Sequence, residues 1–351
     1  MSSSFYPENL PEAFSLDVGG LFQWLHLGGA LKSDLDTALI RLQDIPPQFR
    51  AGYCKRIMAG NVTEFIELLR KPPEIDCKRI DKDHYIRPSE QSGELHEYCH
   101  AENKSGSLGS VRRTLANIRR VINANCSDAR SLRWVTLTYA ENMQDSKRLY
   151  KDYEKFWKRF VYYCKKHGLG KPEYIAIAEP QGRGAWHLHC LFRWDGVAPF
   201  LDNNTVFAPL WGHGWTKIKA VKTDCDNLGA YFSAYLADMP LDDFQAIYGE
   251  CPFEAVEKDF LDDDGEVKKK KFIKGGRLRL YPSGMNIIRT SRGIVLPKSE
   301  IISAEQAEKE KASAGTETFS SCFALVSGGD SPKTKQIISK SYYNSKRVES
   351  Q

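Results

Sequence analysis

Two short strand-like segments joined by a glycine turn constrain the fold of this chain more than any other feature. Residues 173–179 read EYIAIAE and residues 186–194 read WHLHCLFRW, separated by a turn that contains Gly-Arg-Gly. β-Branched and aromatic residues favour strands and glycines favour tight turns, so the sequence predicts a β-hairpin. If the hairpin folds about Arg183 without a bulge, Glu179 lies directly opposite His187.

The same hairpin carries a candidate metal site. His187 and His189 lie two residues apart, so in a strand both imidazoles project from one face, and Glu179 shares that face. A carboxylate and two imidazoles form a three-ligand site that leaves positions open for water or a substrate oxygen. Nitrogen and oxygen donors suit zinc, manganese or magnesium, so the residues by themselves predict a divalent ion without naming it. The alternative is a pair of ordinary sheet histidines.

The segments around the hairpin indicate the fold class. WVTLTY at 134–139 is typical of a strand, and apolar residues at helical spacing then follow as far as Gly168. Residues 215–221 alternate as a further strand, and residues 227–239 have the character of a helix. The order strand, helix, hairpin, strand, helix predicts an α+β fold with an antiparallel sheet.

A pair of tyrosines on the last of these elements is a candidate for chemistry. Tyr231 and Tyr235 are four residues apart, which places both phenols on one side of a helix. Aromatics at this spacing more often pack in a core. A phenol with a pKa near 10 attacks phosphorus only when its anion is stabilised, and a metal on a neighbouring strand supplies that stabilisation. The two motifs therefore explain each other.

Positive charge is concentrated in a few segments. Residues 268–298 hold ten Lys and Arg and no acid, although the whole chain has a formal net charge of only +5. The segment from Arg112 to Arg120 and residues 147–166 are also basic. Clustered cations are what a nucleic-acid-binding protein needs to release counterions from a phosphate backbone. Solvated helix faces are the alternative.

Composition shifts divide the chain into four parts. Residues 1–106 predict an extension that is mainly short helices and loops, and residues 107–245 form the main domain, opened by a basic helix from Ser107 to Asn123. Residues 246–300 are a basic segment expected to contact nucleic acid. Residues 301–351, rich in Ser, Lys, Glu and Gly, are expected to be a flexible tail.

Cysteines and apolar runs bear on the compartment. Nine cysteines without a CxxC pair suit reduced thiols, and the spacing of Cys77, His96, Cys99 and His100 matches no standard zinc module. No uncharged apolar run approaches the roughly 20 residues that cross a bilayer. The first residues show no basic start followed by an apolar stretch. We therefore expect a cytoplasmic protein without a membrane partner.

Three motifs in order over residues 134–239 resemble those of a known family. WVTLTY, EPQGRGAWHLHCLF and YFSAY resemble the motifs of HUH endonucleases and, within them, of the rolling-circle replication initiator (Rep) proteins of bacterial plasmids and phages, of the two-tyrosine type. The fit of residues 279–294 to segments beyond the nuclease core of plasmid initiators is looser. The resemblance implies that residues 107–245 form an HUH nuclease domain with a ferredoxin-like or RRM-like antiparallel sheet.

The resemblance also implies an activity. In the family a tyrosine attacks one DNA strand at an origin, leaving a 5′-phosphotyrosine link and a free 3′-hydroxyl that primes synthesis, and the strand is rejoined after replication. Mg²⁺ or Mn²⁺ is the usual metal. By position, His187, His189 and Glu179 correspond to the metal ligands, and Tyr231 and Tyr235 correspond to alternating nucleophiles.

One departure from the family concerns charge near the tyrosines. Relatives often carry a lysine just before the second tyrosine, where this chain has Ala234. Lys217, Lys219 or Lys222 could replace it. The cations expected to contact DNA are Lys217, Lys219, Lys222, Lys268, Lys269, Lys270, Lys271, Arg277 and Arg279.

The expected partners are single-stranded origin DNA, a host helicase and a host DNA polymerase. A helicase partner is expected because the chain has no GxxxxGK[ST] phosphate loop. Three alternatives stay open: a relaxase or transposase with the same chemistry, a DNA-binding protein whose histidines are structural, and a zinc hydrolase that uses the histidines with Glu179.

Overall fold

The structure is a computed structural model. The residues it describes are 35–39, 52–71, 77–90, 92–106, 108–221, 226–233, 236, 238–251, 254–261, 267–327 and 334–347. The strands within these ranges are β1 Leu35–Leu39, β2 Tyr53–Ala59, β3 Val62–Leu68, β4 Lys78–Arg79, β5 His84–Ile86, β6 His96–Glu97, β7 Leu132–Thr138, β8 Glu173–Pro180, β9 Trp186–Arg193, β10 Thr216–Ala220, β11 Met239–Pro240, β12 Val256–Leu261, β13 Val267–Ile273, β14 Ile288–Thr290, β15 Ser299–Ile302, β16 Thr316–Ser327 and β17 Thr334–Asn344. The α-helices are α1 Leu108–Asn125, α2 Ser146–Lys166, α3 Ala208–Trp211, α4 Leu228–Ser233, α5 Leu241–Tyr248 and α6 Ala304–Lys311.

A five-stranded antiparallel sheet in the order β10-β7-β9-β8-β14 forms the centre of the fold. Helix α2 covers one face of this sheet with aromatic side chains. The rings of Trp157 and Phe160 lie 4.6 Å from that of Tyr174 on β8 and 5.1 Å from that of Phe192 on β9, respectively. The predicted α+β class with an antiparallel sheet is confirmed.

The β8–β9 hairpin has the register expected from its sequence. Glu179 pairs with His187 and Ile177 pairs with His189, without a bulge. The turn is closed by two backbone hydrogen bonds, from Gln181 N to Ala185 O and from Gly184 N to Gln181 O, both 2.8 Å long. Gly184 adopts a φ of 83°, which a side chain would disfavour. The turn therefore fixes the register, and the register sets which side chains share a face.

Helix α4 lies on the opposite face of the sheet from α2. Its Phe232 ring lies 4.2 Å from the ring of Trp134 on β7. Helix α1 supports α4 from behind, where Asn123 Oδ1 accepts a hydrogen bond from Gly229 N at 2.8 Å. A Cβ atom on Gly229 would lie 2.3 Å from Arg119 O, so only glycine allows the two helices to approach this closely.

The ends of the chain form a second, six-stranded sheet in the order β1-β16-β17-β3-β2-β15. Two predictions are therefore wrong within the described residues. The part of residues 1–106 that is described forms strands and one 3₁₀ turn rather than helices, and residues 301–351 contribute α6, β16 and β17 rather than a flexible tail.

The physical reason lies in alternation that composition hides. β3 reads VTEFIEL and buries Val62, Phe65 and Leu68, while β16 alternates exposed Glu317 and Phe319 with half-buried neighbours. Polar and charged residues on the outer face of an antiparallel sheet resemble a disordered composition when their period of two is ignored.

The six-stranded sheet is attached to a residue that precedes α4. Asn61 Nδ2 donates to Asp226 O at 2.6 Å, and Asn344 Nδ2 donates to Asp226 Oδ2 at 3.0 Å. The guanidinium of Arg347 bonds both carboxylate oxygens of Asp226. The start of α4 is thus held by the six-stranded sheet as well as by α1.

The basic segment folds beside the hairpin. β13 pairs with β12 and with the short β11, and a 3₁₀ turn at Gly276–Leu280 follows β13. Strand β14, from the end of the same segment, pairs with β8 and becomes an edge of the five-stranded sheet. Within the described parts of the chain, no helix combines the length and apolar character needed to cross a bilayer.

The close contact at Gly229 makes a prediction about stability. Gly229→Ala places a methyl group against the Arg119 carbonyl and is expected to lower the free energy of unfolding by about 1–3 kcal/mol. Gly109→Ala is the matched control, because Gly109 lies in α1 with nothing within 4 Å of the added Cβ. That change should stabilise the helix by up to about 1 kcal/mol. Urea denaturation measures both, and equal effects of the two substitutions would contradict the packing described.

Candidate active site

Glu179, His187 and His189 converge on one face of the β8–β9 hairpin. His189 Nε2 lies 3.0 Å from Glu179 Oε2, and His187 Nε2 lies 3.5 Å from the same oxygen. All three ligand atoms are within 4.8 Å of one another. The structure therefore brings together the three residues predicted to form a metal site.

Side chains from other elements orient two of these residues. Thr136, opposite His189 on β7, places its Oγ1 3.4 Å from His189 Nδ1, within hydrogen-bond distance. Arg277, from the 3₁₀ turn after β13, donates to Glu179 Oε1 and also to Pro180 O at 2.9 Å. Glu179 therefore presents one oxygen to the histidines and its other oxygen to an arginine, a division that fixes the carboxylate plane.

Burial and charge set the ionisation of the site. Burial alone would raise the pKa of Glu179, but the Arg277 guanidinium and His187 hold the pKa of this carboxyl well below its usual range. Burial lowers the pKa of His187, and this effect exceeds the attraction of Glu179. An ionised carboxylate and a neutral imidazole are the forms that bind a metal ion.

One buried atom indicates that the site fits a divalent ion. His187 Nε2 is buried and has no hydrogen-bond partner among the described residues, although Glu179 Oε2 is close. Buried polar atoms are normally satisfied, so an unpartnered nitrogen aimed at a carboxylate and a second imidazole needs a ligand. A cation among the three atoms satisfies the nitrogen and suits the donor set.

The candidate nucleophiles lie on the segment that crosses this face. Tyr231 belongs to α4, next to Phe232, whose ring contacts Trp134, and the Trp134 ring centroid is 6.1 Å from that of His189. The description of Tyr231 covers its backbone only, and Tyr235 and Ala234 lie outside the described residues. Their roles stay predictions.

The far end of the tyrosine segment is attached to the hairpin. The buried Tyr281 donates its hydroxyl to Ala178 O at 3.1 Å and lies 3.3 Å from Leu236 O. Arg277 Nε donates to Asp238 O at 2.7 Å. The basic segment thus connects the strand that carries Glu179 to residues just beyond the tyrosines.

Two of the predicted DNA-contacting cations share the face of the histidines. Lys217 on β10 pairs with Thr136, and Lys219 pairs with Trp134, so both project from the side of the sheet that carries the site. Cross-strand partners share a face in an antiparallel sheet. Lys222 lies outside the described residues.

The other predicted cations lie on the basic segment. Lys269 and Lys270 on β13 face carboxylates, with Lys269 Nζ 3.3 Å from Glu257 Oε1 and Lys270 Nζ 3.9 Å from Asp242 Oδ2. Lys271 is exposed on the same strand, and the backbone of Lys268 pairs with β12. Arg279 is exposed, with its guanidinium 5.8 Å from the centroid of the Tyr248 ring. Arg277 differs from the others because its side chain is only 12% exposed and bonds Glu179.

Sequence reasoning missed Arg277 as part of the site. It is one of ten basic residues in its segment, and no local pattern connects it to a carboxylate 98 positions earlier. Thr136 was missed for a related reason, since only the pairing of β7 with β9 brings it to His189.

A second cluster could also hold a cation. Glu90, Glu94 and His96 place their ligand atoms within 4.8 Å of one another, but Glu94 is exposed and His96 Nε2 already bonds Glu90 Oε2 at 2.5 Å. This cluster lies outside the five-stranded sheet and provides a control for metal binding.

Comparison with known proteins identifies one similarity. Residues 132–240 match the family model of the replication-associated protein ORF2. The matched residues extend from the start of β7 to the end of β11, so they include Glu179, His187, His189 and both tyrosines. No match was found among curated proteins or among solved structures. The family match supports a role in replication initiation and, with it, DNA binding.

The geometry predicts where a divalent ion binds. Isothermal titration of Mn²⁺ into the wild-type protein should show a site that weakens at least about tenfold in His189→Ala, because one of three ligands is lost. His96→Ala should retain this site. Loss of binding in His96→Ala with retention in His189→Ala would assign the metal to the wrong cluster.

The Arg277–Glu179 pair makes a prediction about stability. Arg277→Ala leaves a buried carboxylate without its partner and should lower the free energy of unfolding by about 3 kcal/mol. The double variant with Glu179→Gln should lose less than the sum of the two single changes, because the pair is coupled. Arg279→Ala should stay within about 0.5 kcal/mol of wild type. Urea denaturation measures all of these proteins, and additive effects would contradict the coupling.

Proposed function

We propose that this protein is a rolling-circle replication initiator that nicks one DNA strand at an origin through a tyrosine nucleophile. The observation that carries the proposal is the convergence of Glu179, His187 and His189 on the face that α4 crosses. The family match over residues 132–240 supports the replication role. It favours an initiator over a relaxase or transposase, which would use the same chemistry.

The proposed reaction is a transesterification. The phenolic oxygen of Tyr231 or Tyr235 bonds to the scissile phosphorus, the bond from phosphorus to the 3′-oxygen breaks, and that oxygen takes a proton and leaves as a 3′-hydroxyl. The phenol's proton passes to solvent. The bound divalent ion, Mg²⁺ or Mn²⁺, would polarise the phosphate and stabilise the developing charge.

The residues of the chain hold and orient the reacting groups. Thr136 and Arg277 fix the planes of His189 and Glu179, so the three ligand atoms face one point. Lys217 and Lys219 line the same face and suit the phosphates on either side of the nick. The bonds of Asp226 and Leu236 to other elements hold both ends of the tyrosine segment.

Two tyrosines suit a complete replication cycle. With one phenol joined to the 5′-phosphate, the second can cut the regenerated origin and rejoin the displaced strand. Each single substitution, Tyr231→Phe or Tyr235→Phe, should therefore permit cutting but block strand transfer. A host helicase and polymerase would supply unwinding and synthesis, since the chain has no GxxxxGK[ST] phosphate loop.

A covalent adduct tests the proposal. We expect labelled single-stranded DNA from the origin of the replicon that carries the gene to form, with Mn²⁺, a protein–DNA adduct on a denaturing gel. The adduct should disappear in the double variant Tyr231→Phe/Tyr235→Phe and after chelation, because each removes the nucleophile or the metal. The matched control is Tyr162→Phe, which should leave the adduct unchanged, because Tyr162 is 68% exposed on α2 on the other face of the sheet.

Two outcomes would contradict the proposal. Cleavage that persists without both phenols would indicate attack by a metal-activated water and a hydrolase. DNA binding without cleavage under any metal would indicate a DNA-binding protein whose histidines are structural.

A further inference from the structure

Trp215 is a large aromatic side chain held at the edge of the candidate active site. The residue is 52% exposed, although the backbone around it is firmly placed. Thr138 N donates to Trp215 O, and Ala140 N donates to His213 O, both at 2.9 Å. Gly214 between them has a φ of 154°, and a Cβ there would lie 2.4 Å from Ala140 N. The chain fixes the backbone position of Trp215 against β7 and leaves its ring accessible.

The ring lies on the face of the sheet that carries the histidines. Lys217 is directly opposite Thr136, which contacts His189, so Lys217 projects from that face. Lys217 Nζ lies 5.8 Å from the centroid of the Trp215 ring, which places the ring on the same face. Thr138, bonded to Trp215, pairs with His187, so two strand spacings of about 4.8 Å separate Trp215 from the metal ligands.

An exposed tryptophan beside a lysine suits an unpaired nucleobase and its phosphate. Bases stack on aromatic rings whatever their sequence, and a neighbouring cation binds the backbone. A groove lined by carbon alone would suit an apolar protein partner better, but the neighbours of Trp215 on this face are Lys217 and Lys219. The charge favours a polyanion.

We propose that Trp215 is a stacking platform for a base of the single-stranded DNA close to the scissile phosphate, with Lys217 bound to the adjacent backbone. This assignment rests on the proposed function for the identity of the DNA, and it concerns binding rather than cleavage. It lets the protein grip a strand of any sequence next to the site where the strand is cut.

Fluorescence anisotropy in the presence of a chelator tests the platform without any cleavage. The probes are fluorescein-labelled dT20 and a labelled 20-unit oligonucleotide with abasic sugars in place of the bases. Trp215→Leu should weaken dT20 binding about tenfold, since stacking of one base contributes about 1–3 kcal/mol, and should leave abasic binding unchanged. Trp215→Phe, which keeps an aromatic ring, should restore most of the affinity.

Two matched variants separate stacking from charge and from general exposure. Lys217→Gln should weaken both probes and reduce the salt dependence of binding by about 0.7 in the logarithmic slope. Tyr162→Leu removes an exposed aromatic from the opposite side of the sheet and should change neither probe.

The platform fails if Trp215→Leu binds dT20 as tightly as wild type, or if it weakens both probes equally. That failure is distinct from failure of the proposed function, because the adduct assay reports cleavage and this assay reports binding without metal. An adduct in wild type with no effect of Trp215→Leu would remove the platform alone. Base-dependent binding through Trp215 without any adduct would remove the nuclease and keep the platform.

Discussion

The arrangement of this site depends on how one carboxylate is shared. Glu179 directs Oε2 to two imidazoles and Oε1 to the Arg277 guanidinium. Because Glu179 is buried, the carboxylate cannot reorient towards solvent, and its position is decided by these charged partners. The result is a carboxylate that stays ionised and two imidazoles that face the same point, which is the condition for binding a divalent ion.

The surrounding elements have a common purpose in this account. The hairpin sets the distance between ligands, α2 supports the hairpin from behind, and the two ends of the tyrosine segment are tied to different parts of the molecule. The start is bonded through Asp226 and Asn123 to the six-stranded sheet and α1, and the end is bonded through Tyr281 to the basic segment. A nucleophile must be held close to its target before reaction, and attachment at both ends limits how far this segment can move.

Local pattern predicted the centre of the fold, whereas long-range pairing decided the rest. The turn at Arg183 and the alternation of β8 and β9 were sufficient to place Glu179 opposite His187, since a hairpin's register follows from its turn. The six-stranded sheet was not predictable in this way, because β3 pairs with β17 across most of the chain, and the polar outer faces of its strands resemble loops. Arg277 shows the same limit within the site. Its charge was evident, but its contact with Glu179 depends on how the basic segment folds back over the hairpin.

Crystals soaked in Mn²⁺ and measured by anomalous scattering test the central claim most directly. The account predicts an anomalous peak within bonding distance of Glu179 Oε2, His187 Nε2 and His189 Nε2, with Arg277 still on the other carboxylate oxygen. A peak at Glu90 and His96 alone, or three side chains turned away from one another with no ion between them, would contradict it.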